Sequence, residues 1–403
     1  MKYFIKFSVS LFVLLLLSSC ISNISDEDLY VQFEAFGLFP SGDDQFAILA
    51  SKSVEAMNTW ETNDSLLFVK IDAEGNINNK NALAIAEKPS IKQLHLLNNG
   101  NILLYANWEN YYYGENSAYE FSPDGQMNWE LYLGSKTNGI VPADNNDLFI
   151  FGWEWGERIP EQRTYDDLVY SKISTRGDTI WTKSFPKNNY STNLSTGVLT
   201  DDGGCIALGK KFIPGRSTDI WILRFNAQGD TLWSKSYGGD LSDDIQSIHI
   251  LSDNSILLVG SLSVRDTTNS DYSLNYGKQS YLVKLNANGD KLWSKAVGRT
   301  LRANALSFIE GSDGSLIICG ETETSYAYIF DVPIGWVIKL NANGEQIWRT
   351  EFDHLIPMDL LELDNGDIIA VSNNDDQENY KNSLNVLKLS SEGTLLLSKA
   401  LTP

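Results

Sequence analysis

Short runs of apolar residues alternate with turn-forming residues along almost the whole chain. The clearest stretch reads IQSIHIL (245–251), SILLVGS (255–261), SYLVKLN (280–286) and KLWSKAV (291–297). Each run is rich in β-branched and aromatic residues and is bounded by Asn, Asp or Gly, which is typical of strands joined by tight turns. Helical periodicity of useful length is absent outside the N-terminal segment. The pattern therefore predicts an all-β protein built from short antiparallel strands.

One of the turns, together with the strand that follows it, recurs seven times. NAQGDTLWSK (226–235), NANGDKLWSK (286–295) and NANGEQIWRT (341–350) show it best. The turn glycines are spaced by 50, 52, 52, 60, 55 and 49 residues, which is the signature of a repeat architecture. They are Gly75, Gly125, Gly177, Gly229, Gly289, Gly344 and Gly393. Four residues later five copies carry tryptophan (Trp129, Trp181, Trp233, Trp293 and Trp348), whereas the first and last copies have Asn79 and Leu397.

Each repeat also contains a second turn followed by a continuous apolar run. CIALG (205–209), ILLVG (256–260) and LIICG (316–320) are examples, and they are apolar on both faces of the predicted strand. A blade of a β-propeller is covered by a neighbour on each side, so its middle strands need apolar residues on both faces. Seven such units fill the chain from residue 31 to its end without a linker. We therefore predict an all-β fold, a single seven-bladed β-propeller of four-stranded antiparallel blades, over residues 31–403.

The spacing of glycine and tryptophan resembles the tryptophan-docking motif of quinoprotein-like (PQQ-like) propeller repeats. The resemblance covers most of the chain and implies that the five motif tryptophans pack against the neighbouring blade. Quinoprotein dehydrogenases of this kind carry an adjacent Cys pair and a Ca²⁺ site, and this chain has no Cys-Cys sequence. We therefore expect no cofactor and no metal.

The N-terminus has the features of a bacterial export signal. Residues 1–19 combine Lys2 and Lys6 with a short apolar stretch, and they end in Leu17-Ser18-Ser19-Cys20, which resembles a lipobox. The resemblance implies cleavage before Cys20, acylation of that residue and attachment to the membrane; the alternative is an ordinary signal peptide with an incidental cysteine. Residues 20–30 then form a tether with the acidic sequence Ser25-Asp26-Glu27-Asp28, similar to the surface-export signal of some Bacteroidota lipoproteins. A plain solvated linker explains the same residues.

Charge and composition exclude several functions. The net charge of −21, which becomes −23 without residues 1–19, argues against nucleic acid as a partner, because phosphate binding needs clustered Lys and Arg. Three Cys do not make a disulfide framework, and we expect Cys205 and Cys319 to be buried thiols. His95 and His249 occupy equivalent first-strand positions where other repeats have apolar residues, so we expect both to be satisfied structural histidines. No nucleophile or metal-binding motif was found.

The candidate binding site lies in the loops between second and third strands, which are long and belong to one face of the predicted propeller. Aromatic and acidic residues concentrate in the first three of these loops, where they suit a glycan or a protein partner. The candidate residues are Trp60, Trp108, Glu109, Tyr111, Tyr112, Tyr113, Trp153, Glu154, Trp155 and Tyr165. Long loops can instead bury their own aromatic residues, and that alternative stays open.

These features predict a monomeric, non-enzymatic lipoprotein of the bacterial outer membrane that binds a protein or carbohydrate ligand. The acidic tether favours exposure on the cell surface, and the periplasmic face is the alternative. One alternative is an outer-membrane assembly scaffold, because the chain is similar to the lipoprotein propeller of that machinery, although that family has eight blades. Another is a polysaccharide-active enzyme that uses two loop carboxylates.

Overall fold

The structure, a computed structural model, describes residues 29–42, 44–56, 62–85, 90–108, 115–154, 167–185, 192–212, 218–238, 243–265, 276–297, 303–322, 334–376 and 381–401. These residues form seven four-stranded antiparallel sheets, each made of four strands consecutive in the chain. The predicted seven-bladed β-propeller is confirmed. The proposed signal peptide, Cys20 and most of the tether lie outside the described residues. Nowhere in these ranges is there a helix long and apolar enough to cross a membrane.

Each blade takes its four strands in chain order, from the inside of the ring outwards. The strands of blades 1 to 3 are β1 (Leu29–Pro40), β2 (Gln45–Ala56), β3 (Thr62–Asp72), β4 (Ile77–Ile85), β5 (Ser90–Leu96), β6 (Ile102–Trp108), β7 (Glu115–Phe121), β8 (Met127–Tyr132), β9 (Thr137–Pro142), β10 (Leu148–Glu154), β11 (Asp167–Ile173) and β12 (Thr179–Phe185). A 3₁₀ turn, Asp144–Asn146, joins β9 to β10.

Blades 4 to 7 follow the same plan. Their strands are β13 (Thr192–Leu199), β14 (Cys205–Phe212), β15 (Thr218–Phe225), β16 (Thr231–Tyr237), β17 (Asp243–Ile250), β18 (Ile256–Arg265), β19 (Tyr276–Leu285), β20 (Lys291–Ala296), β21 (Ala303–Glu310), β22 (Leu316–Thr322), β23 (Ile334–Leu340), β24 (Gln346–Asp353), β25 (Leu355–Glu362), β26 (Ile368–Asp376), β27 (Lys381–Leu389) and β28 (Leu395–Leu401).

The hydrophobic core consists of seven separate clusters, one at each interface between neighbouring blades. The middle strands supply most of it, because both of their faces are covered: Cys205 to Gly209 in β14 are all buried, as are Leu316 to Gly320 in β22. Trp221 and Trp336 of the third strands are also buried, as predicted. Burial of apolar area on both faces of every blade is what makes the ring stable.

The ring closes between blade 7 and blade 1 without any exchange of strands. Ile369 and Val371 of β26 pack with Ile48 and Ala50 of β2 in one cluster. At the inner edge, Asp359 in β25 accepts a hydrogen bond from the backbone N–H of Leu38 in β1 at 2.8 Å. The same carboxylate accepts from the Ser307 hydroxyl of blade 6 at 2.5 Å. One side chain therefore connects three blades at the closure.

Four of the five motif tryptophans dock onto the next blade as the repeat predicts. Trp181, Trp233, Trp293 and Trp348 lie so close to the turn glycines of the following blades that a Cβ atom there would meet the indole within 2.6–3.1 Å. Trp181 and Trp348 also donate from Nε1 to carbonyl oxygens of those turns, at 3.0 and 2.9 Å. Each of these glycines also has a positive φ. Glycine is therefore required at these positions for two reasons: the turn needs a positive φ, and a side chain would collide with the indole.

Candidate functional site

The two faces of the propeller differ in their connections. First-to-second and third-to-fourth strand turns are tight and share one face, called here the tight-turn face; the 1–2 turn of blade 5, for example, closes with a hydrogen bond from Asn254 N to Leu251 O. The second-to-third loops and the inter-blade connections lie on the other face, called here the long-loop face. Since strands alternate in direction within each sheet, this division follows directly from the topology.

The predicted loop site falls on the long-loop face, where the structure describes part of it. Trp60, Glu109, Tyr111, Tyr112, Tyr113, Trp155 and Tyr165 lie outside the described residues. Trp108 ends β6 and Glu154 ends β10, so both stand at the same edge of adjacent blades. Trp153, beside Glu154, is 36% exposed. Its Nε1 donates to the Thr192 carbonyl of blade 4 at 3.3 Å, which holds the exposed ring across a blade boundary.

A second candidate site, which the sequence did not predict, is a pocket of about 720 Å³ in the tight-turn half of the central channel, called here the axial pocket. Its wall comes from the inner strands of blades 2 to 5, and a branch extends between blades 2 and 3 towards Trp129 and Thr175. The inner strands expose side chains here because each contains a bulge. The extra residue is Phe36, Lys92, Asn138, Ser195, Gln246, Leu306 and Met358 in blades 1 to 7.

His95 and His249 both line this pocket, three residues after the bulge in their strands. Burial lowers the pKa of each imidazole to about 4. Nε2 of His249 lies 3.1 Å from the Ser247 hydroxyl, and its ring packs against Phe308 at an interplanar angle of 58°. Nε2 of His95 is buried and has no hydrogen-bond partner. The prediction of a satisfied structural histidine therefore holds for His249 and is wrong for His95, because only His249 has a hydroxyl group within reach of Nε2.

Blade 2 departs from the repeat next to this pocket. In blades 3 to 7 the residue before the last of the third strand is Lys or Arg, and it pairs with an aspartate of the 1–2 turn of its own blade, as in Arg224–Asp202 (2.6 Å). The equivalent residue of blade 1, Lys70, pairs with Asp124 of blade 2 at 2.6 Å. Blade 2 has Glu120 there, and the turn has Asn99 and Asn101 in place of aspartate. Glu120 accepts from Asn101 Nδ2 at 2.5 Å and from Asn128 Nδ2 at 3.1 Å. A buried carboxylate is thus held by neutral donors.

Trp129 is the exception among the motif tryptophans because of this change. Its Nε1 donates to Glu120 Oε2 at 2.6 Å, inside its own blade. The turn glycine it would otherwise cover, Gly177, is instead met by Leu131. The indole still packs between blades 2 and 3, and it also lines the pocket. Trp129 therefore packs at the boundary with the next blade, as predicted, but it does not cover the turn glycine of that blade and its Nε1 bonds inside its own blade.

The remaining polar groups of the pocket are mostly engaged with other protein groups. Gln93 accepts from Ile140 N at 2.7 Å and donates to the Ser195 carbonyl at 3.1 Å, so it connects three blades. Lys92 Nζ donates to Asn116 Oδ1 at 3.1 Å. Asp147 pairs with Lys172 at 3.3 Å. These groups give the pocket fixed polar walls.

Other chemistry-bearing residues are structural. Cys205 and Cys319 are free and buried, as predicted, and burial raises the pKa of both thiols, which disfavours the reactive thiolate. Within the ranges that the structure describes, no group of three or more His, Cys, Asp or Glu side chains is placed to hold a metal ion.

One signal in the sequence could have identified the pocket. The third strands end in VKID, YEFS, SKIS, LRFN, VKLN, IKLN and LKLS, and only the second of these has an acid in place of the base. The bulges leave no such signal, because the alternation of residues does not reveal which one is extra. The roles of Lys92, Thr196 and Gln246 in lining the channel therefore depend on the structure.

Comparisons with known proteins add the following. No protein-family model matches the chain, and neither does any curated protein. Solved structures similar to it include a protein of unknown function from Bacteroides caccae, with 13% identity and a TM-score of 0.43, over 75% of this chain and 94% of that one. The β-propeller domain of the Trilobed protease from Pyrococcus furiosus has 10% identity and a TM-score of 0.48, over 92% and 96%. A polysaccharide lyase of family PL25, an ulvan lyase, has 12% identity and a TM-score of 0.48, over 93% and 97%. Identities this low carry no function to this chain, so the seven sheets themselves define it as a seven-bladed β-propeller.

Proposed function

We propose that this protein is a non-enzymatic lipoprotein of the bacterial outer membrane that binds a protein partner or a glycan through its long-loop face. The lipobox-like sequence before Cys20 supports the anchor, and the aromatic and acidic residues of the loops support the binding role. A rigid ring with variable loops on one face is an arrangement that suits recognition, since the scaffold fixes where each loop begins and ends.

The observation that carries the proposal is the position of Trp153. The side chain of Trp153 is 36% exposed, and its Nε1 donates to the Thr192 carbonyl. This hydrogen bond orders the indole before a ligand arrives, so binding loses less side-chain entropy. Its neighbour in the chain, Glu154, ends the same strand, and Trp108 ends the equivalent strand of the adjacent blade. An exposed, preorganised indole suits stacking on a sugar ring or on an apolar side chain of a partner.

A glycan array tests the binding role, with the purified full-length protein and two variants. Trp153→Ala should lose at least tenfold in signal on the glycans that the wild type binds. Ile180→Ala removes an apolar side chain that is 52% exposed at the tight-turn end of blade 3, and it should bind like the wild type. Equal loss in both variants would contradict a specific loop site. An array without signal would remove the carbohydrate ligand and leave the protein partner.

The anchor is tested separately. Metabolic labelling with an alkyne analogue of palmitate should mark the wild type and not Cys20→Ala, and protease treatment of intact cells should degrade a surface-exposed protein. Label retained by Cys20→Ala would contradict lipidation at that residue. Protection from protease would favour the periplasmic face and with it the assembly-scaffold alternative. Reducing sugar released by the wild type would support the polysaccharide-active alternative.

A further inference from the structure

The residues that break the repeat converge on one cavity. Glu120 replaces the third-strand base, Trp129 leaves its docking position, and His95 and His249 replace apolar residues of the inner strand; all four line the axial pocket. In a repeat protein the other blades show what packing alone selects, so departures with an energetic cost point to a function of the site. Among the residues that the structure describes, the interface between blades 2 and 3, where the pocket branches, also has the smallest buried cluster.

The pocket has one buried hydrogen-bonding atom that the protein leaves unsatisfied. Nε2 of His95 is shielded from solvent and has no partner, while the Ile140 carbonyl beside the same ring raises the pKa of the imidazole slightly against the effect of burial. A buried polar atom without a partner costs about 1–3 kcal/mol. A ligand hydroxyl would satisfy it in either tautomer of the ring, because a hydroxyl both donates and accepts.

The charges around the pocket disfavour an anionic ligand. The Glu120 carboxylate accepts hydrogen bonds from Trp129 and three asparagine side chains, which are neutral and leave its negative charge in place. Asp144 also lines the pocket, whereas Asp147 is paired with Lys172. Lys92 donates to Asn116, and both imidazoles are neutral near pH 7. The indole, imidazole and hydroxyl groups of the wall are neutral as well, and they offer a ligand donors, acceptors and an aromatic face.

From this geometry we propose that the axial pocket binds a neutral polyhydroxylated molecule, the size of a mono- or disaccharide, with one hydroxyl on Nε2 of His95. The volume of about 720 Å³ lies within the range of small-molecule sites. Trp129 offers a ring at the branch between blades 2 and 3, and Thr196 and Ser247 add hydroxyl groups on the channel wall. This site is on the opposite face from the loop site and does not depend on it.

Saturation-transfer difference NMR tests the proposal, with the full-length protein at neutral pH. The probes are maltose, lactose and mannobiose, which vary the hydroxyl configuration, with glucosamine and glucuronate as cationic and anionic counterparts. At least one neutral disaccharide should give signal at or below about 10 mM, and the charged sugars should bind more weakly. No signal from any neutral disaccharide, or stronger signal from a charged sugar, would overturn the proposal.

Variants assign the signal to the pocket. His95→Val installs the residue that blades 3 and 4 carry at this position (Val141 and Val198), so it should fold, and it should bind about tenfold more weakly for the loss of one hydrogen bond. The control His354→Asn removes an exposed histidine whose φ of 62° asparagine tolerates, and it should bind like the wild type. Binding unchanged in His95→Val but lost in Trp153→Ala would place the sugar on the long-loop face and refute the axial site.

Discussion

Mild acid should destabilise this protein through His95 and His249 at a higher pH than through the carboxylates whose pKa values are lowered. In the folded state burial lowers the pKa of both imidazoles from 6.5 to about 4. A group whose pKa is lower in the folded state stabilises the fold fully above its unfolded pKa, and the stabilisation is lost as the pH falls towards the folded value. The expected window therefore runs from about pH 6.5 down to about pH 4.

The size of the effect follows from the two pKa values. At roughly pH 5 the unfolded state is protonated and the folded state is not, which costs about 2 kcal/mol per histidine and about 4 kcal/mol for both. Total stabilities of ~5–15 kcal/mol make this a large fraction. Hydrogen bonds and nearby bases lower the pKa values of three carboxylates to about 2 despite burial: Asp202, Asp253 and Asp313. Their contribution to the stability of the fold is lost only when the pH falls below the unfolded pKa of 3.8. These three carboxylates therefore act at lower pH than the histidines.

Urea unfolding at a series of pH values measures this, in the wild type and in His95→Val/His249→Val. The difference in unfolding free energy between the two should change by about 4 kcal/mol in favour of the variant between roughly pH 7.5 and pH 5. Taking the difference removes the pH dependence that comes from the carboxyl groups, because both proteins contain the same ones. His354→Asn shows how far the loss of an exposed histidine changes the curve. A difference that stays constant with pH would refute the assignment of buried, neutral imidazoles.

Three further predictions concern the ring itself, each measured by urea unfolding. Asp359→Ala should cost about 2–4 kcal/mol, because Leu38 N–H and the Ser307 hydroxyl both lose their acceptor at the closure of the ring; a loss below about 0.5 kcal/mol would contradict that role. Trp348→Ala should cost about 3 kcal/mol, since the indole covers the next blade and donates to its turn, and an unchanged midpoint would refute docking. Glu120→Lys should lower the free energy of unfolding by about 2–3 kcal/mol, because the turn offers it no aspartate. Adding Asn99→Asp should recover at least about 1 kcal/mol by restoring the ion pair of the other blades. Strictly additive effects would show that the two positions are not coupled.

The blade count was predictable because it depends on local sequence. A turn glycine and a tryptophan four residues later mark the third-to-fourth strand connection, and the spacing of seven copies determines the number of sheets. The equivalence of His95 and His249 followed from the same alignment of repeats, and the strand registers confirm it. Each of these features depends on residues that lie close together in one repeat, so a comparison of the repeats is enough to find it.

Side-chain contacts that depend on a neighbouring strand were not predictable in this way. Trp129 has the same spacing from its glycine as Trp181, yet it turns to Glu120 because the adjacent strand offers a carboxylate. Pattern alone placed His95 among core residues, whereas in the structure its ring lines a cavity and Nε2 has no partner. Both outcomes depend on cross-strand neighbours and on strand register.

Blade 2 compensates for Glu120 at several positions. With the turn aspartate of the other blades in place, a glutamate here would leave a buried carboxylate facing a second carboxylate, which is strongly unfavourable. In this chain Asn99 and Asn101 stand in that turn and Asn128 in the next strand, and all three donate to Glu120, as does Trp129. Four donors around one acid are more than packing requires, since an ordinary Lys–Asp pair serves blades 5 and 6. The arrangement fixes Trp129 at the wall of the axial pocket, so the energy spent on Glu120 stabilises a binding surface as well as a blade.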